Sequence, residues 1–161
     1  MLFSVMGICS NTLTSCSSDD DGGGPKVSSL ENEFSYNNET NAIGSVVYTK
    51  DDASGVYTFY VSPTAGLIDL DAMLLADDYI QISTITPTGD IDLTGKGNSL
   101  AYKNVKISPE TADNVQSSTF SLLLTSQTTV KMSLDAAMTS GETLKAEYNG
   151  CLLYTSDAAD E

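Results

Sequence analysis

The chain has no histidine, no tryptophan and no arginine, and its seven cationic residues are all lysines. Without histidine there is no Ser-His-Asp triad, no imidazole base at neutral pH and none of the commonest transition-metal ligand. Positive charge is scarce as well: 22 acidic residues against seven lysines give a formal net charge of -15. Phosphate backbones repel such a chain, so nucleic acid is excluded as a partner. What remains is 161 residues, 40% of them hydrophobic, which is enough for one domain with a single core.

The first residues carry a short apolar run, Leu2, Phe3, Val5, Met6 and Ile8, far too short to span a bilayer. It is followed by Leu13-Thr14-Ser15-Cys16, an apolar residue, two small ones and a cysteine, and then by Ser17, Ser18, Asp19, Asp20 and Asp21. The first motif resembles the lipobox of bacterial lipoproteins, and the second resembles the serine-plus-acidic export signal of surface-exposed lipoproteins in Bacteroidota. The resemblance implies that residues 1–15 are a signal peptide and that Cys16 becomes the lipidated first residue. The small residues admit the signal peptidase, and the thiolate takes the lipid. It also implies an outer-membrane, surface-exposed location, with the membrane as a partner through several acyl chains. No Lys or Arg precedes Lys26, so Met1 reads as an internal methionine of a longer, truncated signal.

Residues 16–41 then read as a lipidated, acidic, flexible tether, with Val27, Leu30 and Phe34 as isolated apolar points. Asn38-Glu39-Thr40 has the form of a glycosylation sequon and reads as an incidental polar turn. At the other end, Cys151 to Glu161 resemble the translation of a sequencing-library adapter over the whole stretch. That resemblance implies a domain cut short after Gly150 and a strand near Glu142–Tyr148 without a neighbour. With Cys9 in the signal, Cys16 lipidated and Cys151 outside the domain, no disulfide framework is expected.

Between these ends, residues 42–150 alternate as strands do. IGSVVYTK and VYTFYVS flank DDASG, whose Gly55 suits the positive φ of a hairpin loop. Leu67, Leu70, Met73 and Leu74 have helical spacing, which predicts a short helix over Asp69 to Asp77. YIQISTI is a further strand, IDLTGKGNSLAYKNVKIS a short and a longer one, and SPETADNVQS a loop. Three more strands follow, separated by turns at Ser126-Gln127 and Thr139-Ser140-Gly141. Seven or eight strands with one short helix predict an all-β fold, an antiparallel β-sandwich, with a lipocalin-like β-barrel as the alternative.

Chemistry-bearing motifs are sparse in this domain. GDIDLTGKG misses the phosphate-loop spacing and has Gly97 where Ser or Thr should bind magnesium. Asp90, Asp92 and Gly95 fall on three positions of a calcium loop, yet the bidentate Glu is replaced by Ala101. Alternation places Asp90 and Asp92 on the solvent face beside Ile91 and Leu93, which makes them weak metal candidates, so no metal or cofactor is expected. Asp69, Asp71, Asp77 and Asp78 offer a carboxylate pair for glycoside hydrolysis, and equally serve as helix caps. Tyr48, Tyr57, Tyr60, Tyr79, Tyr102 and Tyr148 offer a sugar-stacking platform, and equally suit strand interiors. The functional expectation is a non-enzymatic module that binds glycan or protein or plays a structural part, with a small carboxylate hydrolase as the alternative. An open sheet edge or an exposed aromatic strip would support the first.

Overall fold

A computed structural model describes residues 31–126 and 128–155. The expected signal peptide, Cys16 and the export residues Ser17, Ser18 and Asp19 to Asp21 lie outside the described residues, as do residues 156–161. The chain forms β1 (Glu33–Tyr36), β2 (Glu39–Ala42), β3 (Ser45–Asp51), β4 (Val56–Ser62), α1 (Leu70–Leu75), β5 (Ile80–Thr84) and β6 (Thr88–Ile91). It continues through β7 (Ser99–Tyr102), β8 (Val105–Ile107), a 3₁₀ helix (Pro109–Asn114), β9 (Val115–Leu124), β10 (Thr129–Met138), β11 (Thr143–Cys151) and β12 (Leu153–Tyr154).

These strands make two sheets of six, ordered β2-β1-β11-β10-β9-β6 and β12-β3-β4-β5-β7-β8. The all-β sandwich is therefore the observed architecture. The barrel alternative is not formed, because the chain changes sheet repeatedly: β5 pairs with β7 while the intervening β6 pairs with β9. Consecutive strands would have to pair in order for a meander to close. All neighbours are antiparallel except β12, which runs parallel to β3.

Alternation explains the core between the sheets. From the first sheet, Phe120 and Leu122 on β9, Met132 and Leu134 on β10, and Leu144 and Ala146 on β11 point inward. They meet Val46 and Tyr48 on β3, Phe59 and Val61 on β4, and Ile80 and Ile82 on β5. Each fully buried aliphatic or aromatic side chain contributes on the order of 1.5–3 kcal/mol. Tyr48 stacks on Phe59 at 5.5 Å, which ties two neighbouring strands of the second sheet.

The packed body is longer than the expected 42–150 at both ends. Residues 33–42, expected to be tether, form a hairpin on β11, and Phe34 is fully buried against Tyr102 at 5.5 Å. Asn37 and Asn38 make the turn with φ of 50° and 74°, a conformation asparagine tolerates better than most residues. Asn37 also receives the N–H of Thr143 on its side chain at 2.9 Å. Consequently β11 has β10 on one side and β1 on the other, and the expected unpaired edge near Glu142–Tyr148 does not exist. At the other end Leu152 is buried and the N–H of Thr155 reaches the carbonyl of Tyr48 at 3.0 Å. Cys151 is disulfide-bonded, which corrects the expectation of a domain without disulfides.

Local chemistry sets the remaining elements. Gly55 takes φ 74° in the β3–β4 loop, as expected, and the Asp51 carboxylate receives Ala53 N–H and Ser54 O–H at 2.9 and 2.7 Å. Those bonds hold Asp51 below the usual carboxylate range. The expected long strand over residues 99–108 is instead a hairpin, because Lys103 turns with φ 52°. The expected loop after Ser108 is a 3₁₀ helix closed by a capping box between Ser108 and Thr111.

Candidate functional site

The second sheet's outer face is covered. Asp69 caps α1 by accepting the N–H of Ala72 at 2.8 Å, and the helix buries Met73 on Val47 and Tyr60. Two hydroxyls hold the segment that carries it. Ser45 accepts the N–H of Leu67 at 3.1 Å, and the fully buried Ser62 donates to the carbonyl of Asp78 at 2.8 Å. Gly44 allows the segment to pass over the strand, since a Cβ there would sit 2.6 Å from the carbonyl oxygen of Pro63.

The acidic set expected around this helix is divided in role. Asp69 is the cap, Asp71 is exposed, and Asp77 and Asp78 line a cleft of about 520 Å³ with Tyr102, Lys103 and Lys106. Tyr102 donates its hydroxyl to Asp78 at 3.2 Å. Burial first, and then that hydrogen bond, push the phenol well above the ordinary tyrosine range. The six tyrosines do not form a platform. Tyr48, Tyr60 and Tyr102 are buried, and Tyr57 and Tyr148 are half-buried against the inter-sheet core. Tyr79 packs edge-on to Tyr60 at 5.7 Å.

The first sheet's outer face is polar, and among the described residues nothing covers it. Register places Asp90 beside Ser121, Ser121 beside Ser133, Ser133 beside Glu147 and Glu147 beside Glu33. One line of hydroxyls and carboxylates thus crosses five strands, spaced about 5 Å apart. Ser133 donates to Glu147 at 2.7 Å within that line. The next line contains Thr88, Leu123, Lys131 and Asn149, and a line on the other side contains Thr119, Asp135, Lys145 and Ser35. Asp135 and Lys145 are ion-paired at 3.2 Å.

Over the first two lines runs a groove of about 600 Å³, bordered by Asn32, Asp90, Ser121, Lys131, Ser133 and Glu147 among others. A second groove of about 460 Å³ shares Asp90, Ser121 and Ser133 with it and continues toward Asp92 and Ser118. Asn32 is held at the rim by the N–H of Asn149 on its side chain at 2.8 Å. Donors, acceptors and both signs of charge lie at regular intervals, which suits hydrogen bonding to a polyhydroxylated chain or to a polypeptide laid across the strands.

Of the weak metal candidates, Asp90 and Asp92 are both exposed, as alternation predicts, with Ile91 and Leu93 buried between and beyond them. Asp90 borders the grooves. Asp92 is occupied locally: its carboxylate accepts the N–H and hydroxyl of Thr94 at 2.9 and 2.6 Å, which keeps it below the usual carboxylate range. Among the described residues no group of three or more potential ligands is placed to hold a metal. The structure brings Asp90 together with Ser121, Lys131, Ser133, Glu147 and Asn149, none of which the sequence singled out. The signal available for them was the outward alternate position on three consecutive long strands.

No family model matches this chain, and neither curated proteins nor solved structures give a match to it.

Proposed function

We propose that the chain is a lipid-anchored cell-surface module, held in the outer membrane through Cys16 and carried outward by Ser17, Ser18 and Asp19 to Asp21. Its sandwich is a non-enzymatic binding or structural module that takes glycan or protein on the bare face of the first sheet. The single observation supporting this is the pair of contiguous grooves on that face, with side chains of Ser121, Ser133, Lys131 and Glu147 turned toward solvent at strand spacing. The hydrolase alternative has less behind it, because Asp69 and Asp78 already have structural partners.

A glycan array and a cell-surface protein panel, probed with the full chain, test the binding reading. Glu147→Gln and Lys131→Ala are expected to weaken the captured ligand about tenfold each while leaving the melting temperature within a few degrees. Release of shortened glycans during the same incubation would replace the reading with the hydrolase. Anchoring is tested separately by mass spectrometry of the membrane fraction, where Cys16→Ser should remove the acyl mass. A lipid thioether and a disulfide cannot share one sulfur, so a Cys16–Cys151 peptide in the digest would overturn lipidation at Cys16.

A further inference from the structure

We propose that the first half of β9, Val115–Thr119, is a strand-addition site for an extended cationic segment of a partner protein. β9 has ten residues and its neighbour β6 has four, and their register runs only from Thr88 opposite Leu123 to Ile91 opposite Phe120. After Ile91 the chain leaves the sheet. Leu93 turns into the core, and the N–H of Gly95 folds back on the carbonyl of Asp92 at 2.9 Å. On its other side the same half of β9 is paired with β10, Ser118 standing opposite Ala136.

In an antiparallel strand, alternate residues send both N–H and C=O to the same side. The N–H of Val115 is taken by the carbonyl of Ala112, but from Gln116 to Thr119 the side that faces away from β10 presents main-chain donors and acceptors with no strand beside them among the described residues. Sheet edges are normally blunted by lysine, proline, shortness or a covering element. Other edges here show such devices: β8 carries Lys106, whose carbonyl accepts the hydroxyl of Thr111 at 2.9 Å, and β12 has two residues. Val-Gln-Ser-Ser-Thr has none, and Gln116, Ser117 and Thr119 are exposed.

Two further observations favour a peptide on this edge. The groove of about 460 Å³ lies along it, and Ser118, which borders that groove, has a buried hydroxyl without a hydrogen-bond partner among the described residues. The groove's charged residues are Asp90 and Asp92, and the chain's net charge of -15 steers cations toward them. An added strand would continue the line of β6 antiparallel to β9 and read main chain, with lysines at alternate positions meeting the carboxylates. This goes beyond side-chain recognition on the sheet face, and it stands or falls separately from it.

The test is amide hydrogen exchange on the full chain carrying Cys16→Ser, with and without a short synthetic peptide of alternating lysine and threonine. The peptide should slow exchange in Val115–Thr119, and the same peptide N-methylated at alternate residues should bind about tenfold more weakly. D90N with D92N should weaken binding and flatten its salt dependence, whereas Asp71→Asn, on the exposed side of α1, should leave it unchanged. Absence of protection at saturating peptide, or equal binding of the N-methylated form, overturns the proposal. Protection that appears without peptide and rises with protein concentration also overturns it, in favour of a second copy on the edge.

Discussion

The outer face of the second sheet carries Val47 and Tyr60 and is roofed by Met73 of α1, whereas that of the first carries Ser121, Ser133, Asp135 and Lys145 and has no roof among the described residues. Both faces belong to strands whose inward residues are equally apolar. The difference lies in the alternate positions: where these are apolar, the chain supplies a cover and anchors it with Ser45 and Ser62. Where they are polar, water is an adequate cover, and the side chains stay available to a ligand. One face is thus committed to stability, and the other, among the described residues, is left open to solvent.

Substitutions on the two faces should separate these roles. Met73→Ala should cost about 2–5 kcal/mol in urea unfolding, because it empties a fully buried site under the helix. A cost near zero would mean that the roof contributes little. Ser62→Ala should cost about 1–3 kcal/mol, since it orphans the buried contacts to Asp78 and Thr64, and exchange should quicken across residues 64–79 in preference to the first sheet.

Tyr102→Phe crosses the boundary between core and surface, keeping the ring and removing the bond to Asp78. It should cost about 0.5–1.5 kcal/mol. Its pH dependence has a definite sign: the folded phenol holds its proton above the ordinary value, so its contribution is complete below about pH 10 and is lost as pH rises beyond it. The variant should therefore show a shallower alkaline decline than the parent. On the bare face, Lys145→Ala removes an ion pair between half-exposed side chains and should change stability by no more than about 0.5 kcal/mol, less still in high salt. A larger loss would show that this face, too, is part of the stabilising framework.

How much was legible in the sequence varied with element length and with the number of apolar residues each strand buries. The β3–β4 hairpin, α1 and the β9–β10–β11 run were legible because each repeats its period several times. The β1–β2 hairpin was not: its inward contribution is Phe34 and the half-buried Tyr36, and β2 is exposed throughout, so its composition matches that of a linker. The turn at Lys103 was missed because no glycine or proline marks it. Of the candidate site, the exposure of Asp90 and Asp92 followed from alternation alone. Their neighbours did not, because the line from Asp90 to Glu33 joins residues far apart in the chain.

By itself, the sequence determined the all-β character of this protein, its acidity, the absence of histidine chemistry and which alternate positions would seek the core. Each of these follows from composition or from a period of two. Only the tertiary structure decided that the seven or eight strands expected from alternation would be twelve, that the sheets would stay open instead of closing, and that one face would be roofed while the other, among the described residues, was left bare. Those outcomes depend on which strand lies beside which, and pairing is set by register and loop reach between distant segments, to which local periodicity is blind.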